Sequence, residues 1–164
     1  MIIQGICKII QDNKGNDYIA IDISKDVSSQ YERFMLSQGF NEEVNLKLTR
    51  DHGNYHITVI NSMQWGSVKK KGLSEDILNQ VNNKEFVFDS FGIGSISKDG
   101  NKTFFVVLEN PELSKIREIY SLGNQDFHMT LAFKEKDVFG LPKDQSSIVF
   151  SNDLIFENKN KFKP

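Results

Sequence analysis

The sequence predicts an α+β domain in which helices pack on a largely antiparallel sheet. Predicted elements follow the order strand, helix, strands, helix, strands, helix, strands. No linker or low-complexity stretch interrupts the 164 residues, so we expect one domain spanning 1–164. Hydrophobic residues make up 38% of the chain and charged residues 26%, which suits a packed core and excludes a disordered chain.

Alternating apolar residues in the first half of the chain predict four strands, namely the start to Ile10, 18–24, 45–50 and 54–60. A polar turn at 12–17 separates the first two strands. A helix is predicted over 24–40, because Val27, Tyr31, Phe34 and Met35 share one face and Gly39 follows it. A second helix is predicted at 73–83.

The second half begins with two predicted strands, 85–98 and 102–110, joined by a turn. Gly92 and Gly94 inside the first of these predict a bulge or a tight bend. Pro111 and Gly123 bound a predicted third helix. The remaining predicted strands are 127–133 and 146–158.

Charge and cysteine content limit the classes of binding partner and the cellular compartment to be expected. The formal net charge is −2, which does not support binding to long duplex nucleic acid. The single cysteine, Cys7, allows no disulfide within the chain and reads as a packing residue. With no secretory signal and no apolar run of about 20 residues, no membrane association is expected. We expect a cytoplasmic protein, or one in the host cytoplasm if the source is viral; the oligomeric state is open.

Two stretches repeat one pattern of aromatic, His, aliphatic, Thr, aliphatic. They are YHITV, with His56 and Thr58, and FHMTL, with His128 and Thr130. Residues two apart on a strand share a face, so each stretch presents an imidazole beside a hydroxyl. The two histidines are 72 residues apart, close to half the chain, which predicts two pseudo-symmetric lobes that each contribute one pair.

Two histidines and two hydroxyls suit phosphodiester chemistry. One imidazole can accept a proton while its protonated partner donates one. Threonine hydroxyls can hydrogen-bond the non-bridging phosphate oxygens. No metal or other cofactor is expected; His52 precedes His56 by four residues, but the intervening Gly and Asn indicate a turn and not a metal-binding helix.

The two stretches resemble the signature of the 2H phosphoesterase superfamily, and the resemblance covers most of the chain. Within the superfamily, FHMTLAFKEKDVFG is most similar to the Swiss-army-knife RNA-repair-like group, which is related to phage anti-CBASS nucleases. The resemblance implies a bilobal fold, with two largely antiparallel sheets flanking a central cleft and helices outside. It also implies that His56 and His128 form the acid–base pair and that Thr58 and Thr130 bind phosphate.

The expected function is therefore metal-independent hydrolysis of cyclic oligonucleotide immune signals or short RNA. Two alternatives stay open, which are an RNA repair or processing enzyme acting on 2′,3′-cyclic phosphates and a non-catalytic sponge for cyclic nucleotides. Tyr18, Trp65 and Lys134 are further candidate substrate-binding residues. The two aromatic rings would stack on bases, and the lysine would contact phosphate.

Overall fold

The computed structural model describes residues 1–161, with side chains as far as Phe156. The described part contains seven strands, six helices and one 3₁₀ turn at Gln145–Ser147. In chain order the elements are β1 (Ile2–Gln11), β2 (Asp17–Ile23), α1 (Lys25–Ser37), α2 (Asn41–Arg50), β3 (Tyr55–Ile60), α3 (Ser62–Lys70), α4 (Ser74–Val81), β4 (Glu85–Lys98), β5 (Asn101–Glu109), α5 (Pro111–Ile119), β6 (His128–Lys134), β7 (Ile148–Ser151) and α6 (Asn152–Lys161). The predicted α+β class is confirmed.

All strands belong to one antiparallel sheet with the order β3-β2-β1-β4-β5-β6, and β7 adds to β4. Two separate sheets were predicted, but β1 pairs with β4, with Ile3 opposite Phe88, and joins the two halves. The outer strands β3 and β6 also lie against each other, so the sheet curves. This curvature brings the first and the last strand of the order side by side.

The core lies between one face of the sheet and the helices. It draws on both halves of the sheet, from Ile21 and Ile57 on one side to Val106 and Met129 on the other. Burying such side chains contributes about 1.5–3 kcal/mol each. Cys7 is buried in this core as predicted, and burial raises the pKa of its thiol to about 12. Of the described helices, none is long and apolar enough to cross a membrane.

Two glycines are required by close packing of the backbone. A Cβ on Gly5 would lie 2.3 Å from the carbonyl oxygen of Asp22, because β1 and β2 approach closely there. Gly92 has φ 131°, and the β4–β5 register shifts between Ser90 and Gly92. The predicted irregularity at Gly92 is confirmed as this bulge, and the register with β7 shifts between Ile93 and Gly94.

Three segments differ from the sequence-based prediction. Residues 45–50 were predicted as a strand but lie in α2, where Val44 and Lys47 are buried one turn apart and Leu46 is exposed. Helix α3 was not predicted; Asn61 and Gln64 form a reciprocal capping box at its start. The strand predicted at 146–158 is confirmed only for β7, after which the chain turns into α6.

Candidate active site

The two His-x-Thr pairs face one cleft of about 660 Å³. On β3 the side chains of Tyr55, Ile57 and Val59 are buried, so His56 and Thr58 point to the opposite face. On β6 the same alternation buries Met129 and Leu131 and turns the second pair toward the cleft. Because β3 and β6 are neighbours in space, residues 72 positions apart line a common surface.

Two neighbours define the environment of His128. Its Nδ1 lies 2.7 Å from the carbonyl oxygen of Asp126, and its Nε2 lies 3.4 Å from Nζ of Lys143. Burial, followed by the Lys143 ammonium, lowers the pKa of His128 to about 4. The ring is therefore neutral at pH 7.

His56 is influenced by burial and by charges of both signs. Burial lowers its pKa, and the nearby carboxylate of Asp51 opposes that effect. The ring of Tyr18 meets it edge-on, with centroids 5.8 Å apart. The largest charge effect on His56 thus comes from the Asp51 carboxylate, and the largest on His128 from the Lys143 ammonium.

A network of charged side chains of alternating sign lies beside the cleft. Lys143 Nζ lies 3.7 Å from Asp137, whose other oxygen accepts a 2.5 Å bond from Arg50. The Arg50 guanidinium also holds Asp51 at 2.7 and 2.9 Å, and Lys47 lies 3.3 Å from Asp51. Of this network, Arg50, Asp51 and Asp137 line the cleft.

The charged groups of this network shift one another's pKa values. Burial alone would raise the pKa of Asp137, but its bonds to cations prevail and lower it. Burial lowers the pKa of Lys47 to about 8, against the effect of Asp51. Sequence reasoning missed this network; the only available signal was that its charged residues precede the first motif or follow the second, as Arg50 and Asp137 do.

The three further residues predicted to bind substrate have different positions. Tyr18 lines the cleft as expected. Trp65 is only 2% exposed and belongs to the core, so it has no ring face open to a base. Lys134 is exposed at the far end of β6, opposite Lys102, and is not a lining residue of the cleft. Phe139, which was not predicted, is 70% exposed and lines the cleft.

His52 lies in the turn before β3, as predicted, and its Nε2 lies 3.3 Å from the side-chain oxygen of Asn13. Within the described residues, no group of three or more His, Cys, Asp or Glu side chains is placed to hold a metal ion.

Comparison with known proteins agrees with the geometry. The family model of the Swiss Army Knife 2H phosphoesterase domain matches residues 19–139, a range that includes both His-x-Thr pairs. No curated protein and no solved structure matches the chain. The matched range covers well over half of the sequence, and the chain belongs to the Swiss Army Knife family of 2H phosphoesterases, which are phosphodiesterase hydrolases.

Proposed function

We propose that this phosphodiesterase hydrolyses cyclic oligonucleotide signals by paired-histidine acid–base catalysis. The observation that carries the proposal is that both His-x-Thr pairs, on β3 and β6, line a single cleft. Proton transfer in both directions and hydrogen bonding to a phosphate are then available at one place. The side chains assigned to the chemistry are His56, Thr58, His128 and Thr130.

The proposed reaction is a displacement at phosphorus. One imidazole takes a proton from a water molecule while the water oxygen forms a bond to phosphorus. The bond from phosphorus to the departing ribose oxygen breaks, and the other imidazole gives that oxygen its proton. The hydroxyls of Thr58 and Thr130 donate hydrogen bonds to the two non-bridging oxygens, which carry the negative charge.

Three features of the cleft support a small nucleotide substrate. Its volume of about 660 Å³ suits a compact ligand. Tyr18 and Phe139 offer aromatic surface to nucleobases. Arg50 places one guanidinium in the cleft lining, and the net charge of −2 for the whole chain does not favour a long duplex.

The test is a substrate panel assayed by mass spectrometry. Cyclic di- and trinucleotides and RNAs with 2′,3′-cyclic phosphate ends are incubated with wild type, His56→Ala and His128→Ala. Lys115→Ala, a change at an exposed residue of α5 that does not line the cleft, serves as the control. We expect linear products from cyclic oligonucleotides, a loss of at least about 100-fold in each alanine variant, and unchanged turnover in EDTA.

Other outcomes would contradict specific parts of the proposal. Cleavage of RNA cyclic-phosphate ends alone would identify an RNA-processing enzyme. Intact cyclic nucleotide recovered after denaturation of a stable complex would identify a sponge. Full activity in both alanine variants would exclude the paired-histidine chemistry.

A further inference from the structure

Lys143 reaches the ring of His128 from a segment outside the two motifs. It lies in the irregular stretch 135–144 between β6 and the 3₁₀ turn, and its side chain is 5% exposed. Its Nζ stops 3.4 Å from Nε2 of His128. A buried ammonium is energetically costly unless it has partners, so this placement requires specific support.

Four contacts hold Lys143 in place. Its backbone N–H donates a 3.1 Å hydrogen bond to the carboxylate of Asp126, and its ammonium lies 3.7 Å from Asp137. The ammonium also lies 5.5 and 5.3 Å from the ring centroids of Phe105 and Phe139. Asp137 is itself fixed by a 2.9 Å bond from Thr103. The lysine is therefore anchored at both its backbone and its charged end.

The contacts of His128 are compatible with one tautomer. A carbonyl oxygen accepts only, so the 2.7 Å contact with Asp126 requires a proton on Nδ1. An ammonium donates only, so the contact with Lys143 requires a free lone pair on Nε2. A proton on Nε2 would face the donors of Lys143. The neutral ring with its proton on Nδ1 satisfies both neighbours.

We propose that Lys143 is a positioning residue that holds His128 as this neutral tautomer, which makes His128 the proton acceptor and leaves His56 as the donor. The inference rests on the paired-histidine chemistry proposed above. The substrate phosphate brings a negative charge that offsets the ammonium, so the basicity of Nε2 recovers when substrate binds. The charged groups that face His128 are Lys143, Asp137 and His56.

The test is an NMR titration of the histidine rings in the free protein. The chain has three histidines, so His52→Asn and His56→Asn assign the signals. We compare wild type with Lys143→Met, which keeps length and apolar contact, and with Lys143→Arg, which keeps the charge. Lys115→Met, a change at an exposed lysine on α5, is the matched control.

We expect the pKa of His128 to rise by about one unit or more in Lys143→Met and to stay low in Lys143→Arg and Lys115→Met. The apparent pKa of the acidic limb in the pH profile of kcat/KM should rise in Lys143→Met only. An unchanged His128 titration in folded Lys143→Met would overturn the inference. If that variant does not fold, ¹⁵N shifts of the wild-type ring decide, since a proton on Nε2 excludes the proposed tautomer. The histidine titration and the ¹⁵N shifts need no substrate. A negative result in either is therefore distinguishable from failure of the proposed hydrolysis.

Discussion

Arg117 offers a quantitative test of how the fold holds β3. Its side chain is 1% exposed on α5, and it donates to neutral carbonyl groups in place of a carboxylate. The bonds to Val59 O and Leu122 O are both 2.7 Å, and the bond to Gly123 O is 3.2 Å. Replacement by methionine keeps the apolar stem and removes every one of these donors.

The expected effect follows from these bonds. Two short hydrogen bonds from a charged donor contribute about 3–6 kcal/mol together. Part of this is offset, because the variant no longer buries a charge and because Gln64 still donates to Leu122 O at 3.1 Å. We therefore expect Arg117→Met to lower the free energy of unfolding by about 2–4 kcal/mol.

Urea denaturation followed by tryptophan fluorescence is the assay. Trp65 is the single tryptophan and is buried, so its emission reports global unfolding. Arg33→Met is the control, because Arg33 is exposed and makes one 3.4 Å bond to Ser29 O; it should change stability by less than about 0.5 kcal/mol. A loss below about 1 kcal/mol in Arg117→Met would show that these carbonyl bonds contribute little to the stability of the fold.

Three further predictions address packing and charge. Gly5→Ala should lower stability by about 1–3 kcal/mol in the same urea assay, because its Cβ would lie 2.3 Å from Asp22 O; wild-type stability would refute the close approach. Trp65→Phe should lower stability by about 1–3 kcal/mol, followed by circular dichroism, and leave the cleavage rate of the folded enzyme unchanged; a selective loss of activity would place the indole at the substrate after all. Asp137→Asn should be less stable than wild type at neutral pH, because the folded-state pKa of Asp137 lies below its ordinary value of 3.8. That difference should shrink as pH falls through the folded-state pKa, and a difference that does not vary with pH between 7 and 2 would exclude the ion pairs as its source.

Strand alternation predicted the parts of the site that depend on local pattern. The i+2 spacing in YHITV and FHMTL correctly predicted which residues share a face on β3 and β6. The same reasoning was wrong for α2, where the alternation of Leu46 and Leu48 resembles a strand. The helical spacing of Val44 and Lys47 and the acidic first turn favour a helix there, and the structure has one.

The remaining features depend on contacts between distant or irregular segments. Nothing periodic connects Lys143 to His128, which lies 15 residues away across a segment without regular structure. A buried lysine also contradicts the usual expectation that lysines are exposed, and its contacts with Asp137, Phe105 and Phe139 explain it. The single sheet depends on the β1–β4 pairing, which the order of elements does not specify.

The arrangement of β3 and β6 has a consequence for what keeps the two histidines together. Among the described strands, no backbone ladder joins β3 to β6, although the two lie side by side. Side-chain bonds cross this seam, from Arg117 to Val59 O and from Gln125 to Thr58 O. Packing of α2 against β6 and the bond from Arg50 to Asp137 also cross it. The distance between the two histidines is therefore set by side-chain packing and charge pairs outside the two motifs and not by a backbone ladder.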